Sequence, residues 1–243
     1  SDAFLATDIF PLDNGSPSPL IFVSELHPAS SLVATSRDEG QSWTDSLGGG
    51  QAHGYDHESV AIGPYPAGQK PPTAQFDHAV YYCSHAPANA FCSRSDNGGV
   101  VFSPAVPIFQ TADQAYSTHG KVQVGADGTV YVPVGSSTGY VRPVLNGAPV
   151  ITLSTDAGIT WHLIQVPDTA EPSVEPAIAI ANDGKTIFFS YSKGFPNYHP
   201  YVLKGVLDKS DPLNPTIRWN PQGAVDIGSA AGLNNVVFPA LVA

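Results

Sequence analysis

Short apolar runs rich in β-branched and aromatic residues dominate the chain, and polar turn residues separate them. Residues 20–26 (LIFVSEL), 78–84 (HAVYYCS), 128–135 (GTVYVPVG) and 185–192 (KTIFFSYS) read as strands. Asn14-Gly15, Asp127-Gly128 and Asp183-Gly184 tolerate positive φ and so favour tight turns between strands. No stretch keeps a 3.6-residue apolar period over a helical length. The expected class is therefore all-β and antiparallel.

The pattern repeats. Ser36-Arg37-Asp38-Glu39-Gly40-Gln41-Ser42-Trp43, Ser95-Asp96-Asn97-Gly98-Gly99-Val100-Val101-Phe102 and Ser154-Thr155-Asp156-Ala157-Gly158-Ile159-Thr160-Trp161 align without gaps, each start 59 residues after the last. The shared form is Ser-x-Asp-x-Gly-x-x-aromatic, with Asn97 in place of the acid in the middle copy. A short Asx or Ser side chain binds backbone amides in a turn, and glycine takes a conformation closed to other residues. Ser36, Asp38, Gly40, Ser95, Asn97, Gly99, Ser154, Asp156 and Gly158 are therefore expected to build turns. Trp43, Phe102 and Trp161 are expected to bury against neighbouring strands.

A second series keeps the same period: HESVAIG at 57–63, HGKVQVG at 119–125, EPAIAIA at 175–181 and FPALVA at 238–243. FLATDIF at 4–10 fits as the first copy. The order is strand, turn, strand, strand, box, strand, which makes four four-stranded units and the opening strand of a fifth. In the fourth unit only Asp208 to Trp219 occupies the place of the box. A four-stranded antiparallel unit repeated in this way is a propeller blade. We expect one propeller domain over residues 1–243, stopping inside its fifth unit.

Composition narrows the function classes. The 243 residues are 42% hydrophobic, ample for a core, and carry 10 Lys+Arg against 21 Asp+Glu, a net charge of −11. Nucleic-acid binding needs clustered cations and is disfavoured, as is an anionic membrane surface. No apolar run approaches the roughly 20 residues that cross a bilayer. The chain has no methionine and starts at Ser1 without a leader pattern, which reads as a processed or excised segment. Cys83 and Cys92, nine residues apart at the ends of a hairpin, suit a disulfide; a buried pair of free thiols is the other reading. Few lysines, an acidic surface and a disulfide favour a secreted, cell-surface or periplasmic setting.

The boxes and the blocks YYCSHAPANAFCSRSDNGGVVF, STHGKVQVGADGTVYVPVG and NNVVFPALVA resemble the Asp-box (BNR) repeats of sialidases and related exported bacterial and archaeal β-propellers. The resemblance covers residues 4–243. It implies blades with the box between the third and fourth strands, and a binding site near the axis where innermost strands begin. It also implies glycans or cell-surface polymers as partners. Six blades of about 60 residues would need roughly 360, so an incomplete propeller that associates with itself is a further expectation. Sialidases of this family hold a carboxylate with three arginines and use a tyrosine nucleophile, a glutamate and an aspartate. This chain has four arginines. Arg37 and Arg94 fall in or beside boxes, which leaves Arg142 and Arg218, so the sialidase mechanism does not transfer residue by residue.

The residues opening the innermost strands are the candidate site: Asp56, His57 and Glu58, then Thr118 and His119, then Glu171 and Glu175. Paired carboxylates can act as acid and base or nucleophile on a glycosidic bond, so Glu58, Glu175 and Asp56 are the catalytic candidates. His57, His119 and Glu171 are the ligand-binding candidates. Histidines with carboxylates could also hold a divalent cation such as calcium, although no cofactor is otherwise implied. The same residues read as hydrogen-bonding partners of neighbouring blades. Two functions remain open: a glycan-binding or glycan-processing propeller with glycoside hydrolase activity, and a non-catalytic binding, adhesion or assembly module.

Overall fold

A computed structural model describes residues 4–27, 30–48, 56–86, 89–109, 119–135, 149–167, 175–194, 197–233, 240, 241 and 243. Sheet one contains β1 (Phe4–Thr7), β2 (Ile21–His27), β3 (Ser30–Ser36) and β4 (Thr44–Asp45), paired in that order; β5 (Leu47–Gly48) follows. Sheet two runs β6 (Asp56–Pro64), β7 (His78–Ala86), β8 (Asn89–Ser95) and, after β9 (Val101–Phe102), β10 (Val106–Pro107). β9 instead pairs in parallel with β5. Sheet three contains β11 (Gln123–Val124), β12 (Val130–Val134), β13 (Val150–Ser154) and β14 (His162–Gln165). Sheet four contains β15 (Ala177–Ile180), β16 (Thr186–Lys193), β17 (His199–Asp208) and β18 (Thr216–Trp219), with β19 (Val225–Asp226) also on β17. The short helix α1 (Ile227–Ala231) closes the described structure, capped by Asp226.

The strands follow from the repeat. Each blade is a sequential antiparallel meander, and in sheets one, three and four the link between first and second strands carries its expected dipeptide, whereas in sheet two it is the proline-rich stretch 65–77. Gly128 and Gly184 take φ of 80° and 68° while Gly128 N–H donates to Gly125 O and Gly184 N–H to Ala181 O, each at 2.9 Å. The fifth opening strand expected at 238–243 lies largely outside the described residues.

Contacts divide the chain into two compact units. The first comprises Ser1–Ile108, Val122–Val130 and Ser154–Trp161; the second comprises Phe109–Lys121, Tyr131–Leu153 and His162–Ala243. In the first, Phe22 and Val33 of sheet one, with Leu20 just before β2, pack with Val60, Ile62, Val80, Tyr82 and Phe102. In the second, Tyr131, Ile151 and Leu153 pack with Ile178, Ile187, Phe189, Leu203 and Leu207. Alternation along each strand sends one side chain to a core and the next to the opposite face. Tyr82 and Tyr81 divide in this way, and both are buried.

Cys83 faces Cys92 across β7 and β8, and the two form a disulfide between the second and third strands of sheet two. The loop it closes is short, so double replacement by Ala should lower stability by about 2–3 kcal/mol through the unfolded state. Urea unfolding of the oxidised protein and of C83A/C92A measures this; equal midpoints would contradict it.

Candidate functional site

The three boxes form one turn in three copies. The box serine ends the third strand of its sheet. Its hydroxyl donates to the Oδ1 of the residue two positions on, at 2.9 Å for Ser36–Asp38, 2.8 Å for Ser95–Asn97 and 2.8 Å for Ser154–Asp156. It also accepts the N–H of Gly40, Gly99 or Gly158 at 2.8, 3.0 and 2.8 Å. The same Oδ1 accepts the N–H of Ser42, Val101 or Thr160. In the outer two boxes the second carboxylate oxygen accepts a hydroxyl, from Ser42 or Thr160, each at 2.6 Å. The middle box has Val101 there, with no hydroxyl to donate. Asn97 fits that position because its amide nitrogen needs no donor.

The turns are electrostatically settled. The Ser42 hydroxyl and amide hold the Asp38 carboxyl below its ordinary value. Burial pushes Asp156 up, but the hydroxyl and amide of Thr160 together prevail and leave it lowered. A carboxylate engaged by its own turn is a structural group.

Each turn rests on the preceding sheet. Gly99, at φ 83°, lies on Phe22 so closely that a Cβ there would collide with the ring. Gly158 lies over Tyr81, where a Cβ would stand 3.2 Å from the ring edge. Phe22 and Tyr81 occupy one register position, opposite the residue that precedes the box serine. An arginine completes each seat. The Arg37 guanidinium donates to the carbonyls of Asn97 and Gly98, both at 3.1 Å. Arg94 donates to the corresponding carbonyl of Ala157 at 2.6 Å and is itself held by Asp96, which accepts the Tyr65 hydroxyl. Burial pushes the Tyr81 phenol up, so it stays protonated.

One expectation about the boxes needs correction. Phe102 is buried and Trp161 is half-buried, but Trp43 is 43% exposed. Its indole N–H donates to Gly40 O at 3.1 Å. Among the described residues no sheet lies beneath this first turn, and a Cβ on Gly40 would meet Trp43 alone within 4 Å.

The strand openings carry the chemistry-bearing residues. In sheet two the register slips between Asp56 and Ser59, and His57 takes φ 54° at this bulge. The slip leaves Glu58 only 2% exposed and sets the His57 ring edge-on to His85, centroids 6.3 Å apart. Ser59 Oγ accepts the N–H of Val122 at 3.1 Å, which ties this opening to the segment before β11. In the second unit, His119 is buried and its Nδ1 bonds Gly120 O at 2.8 Å. Gly120 packs against the carbonyl of Pro176, and Glu175 beside it is half-buried with φ 46°. Left-handed non-glycine residues are strained, and such strain collects at functional positions.

The structure thus brings His57 together with His85, which is not among the candidates read from the sequence, and Glu58 follows His57 at the same bulge. The signal for His85 was its cross-strand place opposite Asp56. Glu58 and Glu175 fall in different units. The side chain of Asp56, and Thr118, Glu171 and Arg142, lie outside the described residues. His78 and Asp77 do not join the openings. His78 Nδ1 bonds the buried Asp8 carboxylate at 2.6 Å between the rings of Phe10 and Phe76, and Asp77 pairs with Lys70. Among the described residues no three His, Cys, Asp or Glu side chains group to hold a metal ion. No helix among them is long and apolar enough to cross a membrane.

No protein-family model matches the chain, and no curated protein matches its sequence. Solved structures do. An ancestral GH74 enzyme superposes with a TM-score of 0.52 at 14% identity, over 89% of this chain and 27% of that one. The intramolecular trans-sialidase from Ruminococcus gnavus gives 0.47 at 14% identity, over 87% and 42%. The NanB sialidase from Streptococcus pneumoniae gives 0.49 at 14% identity, over 87% and 29%. The chain spans less than half the length of each. At such identity the GH74 likeness bears on fold alone, and with the four meanders it makes this an all-β chain of four-stranded propeller blades.

Two outcomes test the turns. Asn97→Asp alone should destabilise, whereas adding Val101→Thr should recover stability, with a coupling of about 1 kcal/mol between the pair. Additive effects in a urea-unfolding cycle would contradict the hydroxyl argument. Asp156 is lowered when folded, so its contribution is present above the ordinary value of 3.8 and is lost as pH falls through the lower folded value. Asp156→Asn should flatten that part of the stability–pH curve.

Proposed function

We propose that the chain is an exported Asp-box propeller that binds or processes extracellular glycans through the openings of its innermost strands. The observation that carries this reading is the strained His57–Glu58 bulge with His85 beside it. Imidazoles offer both donors and acceptors to sugar hydroxyls, and a buried carboxylate is the group a glycosidase uses as its acid. In this reading Glu58, Glu175 and Asp56 are the acid/base candidates, and His57, His119 and Glu171 contact the sugar. The disulfide fits an oxidising compartment.

We expect that this segment alone does not cleave sialosides by the usual sialidase route. That route needs a rigid cationic clamp on a carboxylate. Among the described residues Arg37 and Arg94 are engaged by box turns and Arg218 lies on the outermost strand of sheet four, while Arg142 lies outside them. A second reading, a non-catalytic binding or adhesion module, is favoured by the depth of Glu58, which is 2% exposed.

Fluorogenic sialosides and neutral glycosides, with a glycan-binding panel, separate these readings. Under the first, a neutral glycoside is turned over and Glu58→Gln abolishes turnover while sparing binding. Under the second, glycans bind without turnover and His57→Ala weakens binding. Robust sialoside turnover, or neither binding nor turnover, would overturn the proposal.

A further inference from the structure

Three Asn-Gly dipeptides occur in the chain, and two of them lie among the described residues. In such a pair the glycine nitrogen, with no side chain to shield it, can attack the asparagine's own side-chain amide. Asn14-Gly15 lies in the link between β1 and β2, and Asn97-Gly98 belongs to the second box. The two carboxamides are alike at their oxygen. Asn14 Oδ1 accepts the Ser16 N–H at 2.9 Å and the Ser16 hydroxyl at 2.7 Å. Asn97 Oδ1 accepts the Ser95 hydroxyl at 2.8 Å and the Val101 N–H at 2.9 Å. Donors so placed stabilise the charge that gathers on this oxygen when a nucleophile adds to Cγ.

Their backbones differ. Asn14 and Gly15 are both exposed, and no residue beyond the chain neighbours comes within 4 Å of where a Gly15 Cβ would stand. The turn is held by the Gly15 N–H on Leu12 O at 2.7 Å and the Leu12 N–H on Ser16 O at 2.9 Å. An exposed turn with so few bonds opens without the rest of the fold. Gly98 is buried, Gly99 lies on Phe22, and the Arg37 guanidinium donates to the carbonyls of both Asn97 and Gly98. The Asn97 carbonyl belongs to the peptide group that must swing before Gly98 N can reach Cγ. That swing breaks the arginine fork and lifts the box off sheet one.

We propose that Asn14 is a site of spontaneous conversion to aspartate and isoaspartate, and that Arg37 withholds the same reaction from Asn97. In the first step Gly15 N loses its proton to hydroxide and bonds Asn14 Cγ. The Cγ–Nδ2 bond breaks, and Nδ2 takes a proton from water and leaves as ammonia. The five-membered imide then adds water. Opening of its bond to Cγ gives aspartate; opening at the main-chain carbonyl gives isoaspartate, whose backbone runs through the side chain. Either product adds a negative charge next to Asp13, whose carboxylate shares Lys70 with Asp77. At Asn97 the same change would set a carboxylate oxygen near Val101, which has no hydroxyl to donate, and would loosen the second box.

Peptide mapping of the full chain by mass spectrometry tests this, with one sample held folded at mildly alkaline pH and a parallel one in urea. In the folded protein the Asn14 peptide should turn to acid and isoaspartate while the Asn97 peptide keeps its amide. In urea the two should convert at similar rates, because each is then the same dipeptide in an open chain. Arg37→Ala, at an exposed position, should speed conversion of Asn97 in the folded protein about tenfold, the rate equivalent of one hydrogen bond from a charged donor, and leave Asn14 unchanged. Circular dichroism checks that this variant is folded; if it is not, the folded-against-urea comparison on the unaltered chain decides alone. An Asn14 that keeps its amide in the folded protein, an Asn97 that converts there as fast as Asn14, or a folded Arg37→Ala with Asn97 intact would overturn the proposal.

Discussion

The seat of a glycine turn on the aromatic ring of the preceding sheet, locked by an arginine on the turn's carbonyl, is the contact on which the repeat depends. Two left-handed residues in succession expose a carbonyl and bring a Cα hydrogen where a side chain would otherwise stand. The ring fills the space beneath, and the guanidinium satisfies the carbonyl. The internal hydrogen bonds of Ser36, Asp38 and their counterparts hold the turn in this shape before it meets the sheet. The box is thus a connector between repeats as much as a turn within one.

That contact also governs what the chain has left for chemistry. Its acidic boxes hold their carboxylates in backbone bonds, and two of its four arginines grip neighbouring turns. Lys70 bridges Asp13 and Asp77, and Lys193 lies over Tyr201. Among the described residues, the strand openings carry the imidazoles of His57 and His119, the carboxylates of Glu58 and Glu175, and Lys121 beside His119. The left-handed His57 and Glu175 mark these openings as positions where backbone regularity gives way.

The fold was legible because the box and the strand share one period, and each box residue has a single role. The cross-strand pairing of Cys83 with Cys92 was legible for the same reason, since a hairpin of that length puts its ends opposite each other. The match of Asn97 to Val101 was also present in the sequence, but it appears only when Ser42, Val101 and Thr160 are compared as one position. What the sequence hid was contact between distant residues. Arg37 and Arg94 could be placed only as falling in or beside boxes because their acceptors are backbone carbonyls 60 to 63 residues away, which carry no sequence mark. Trp43 was expected to bury as Phe102 does, yet burial depends on the sheet beneath a turn and not on the turn. His85 joined the candidate site only through the bulge at Asp56, which no residue pattern announces.

Hydrogen exchange of native Arg94→Lys against the unaltered protein tests the seat most directly. Lysine keeps the charge and loses the fork that spans Asp96 and the Ala157 carbonyl. If that contact holds the third box on sheet two, the amides of Gly158 and Thr160 lose protection while those of Gly40 and Ser42 keep theirs. Unchanged protection at Gly158 and Thr160 would show that the turns stand by their internal bonds alone, and the arginine seat would not be what joins the repeats.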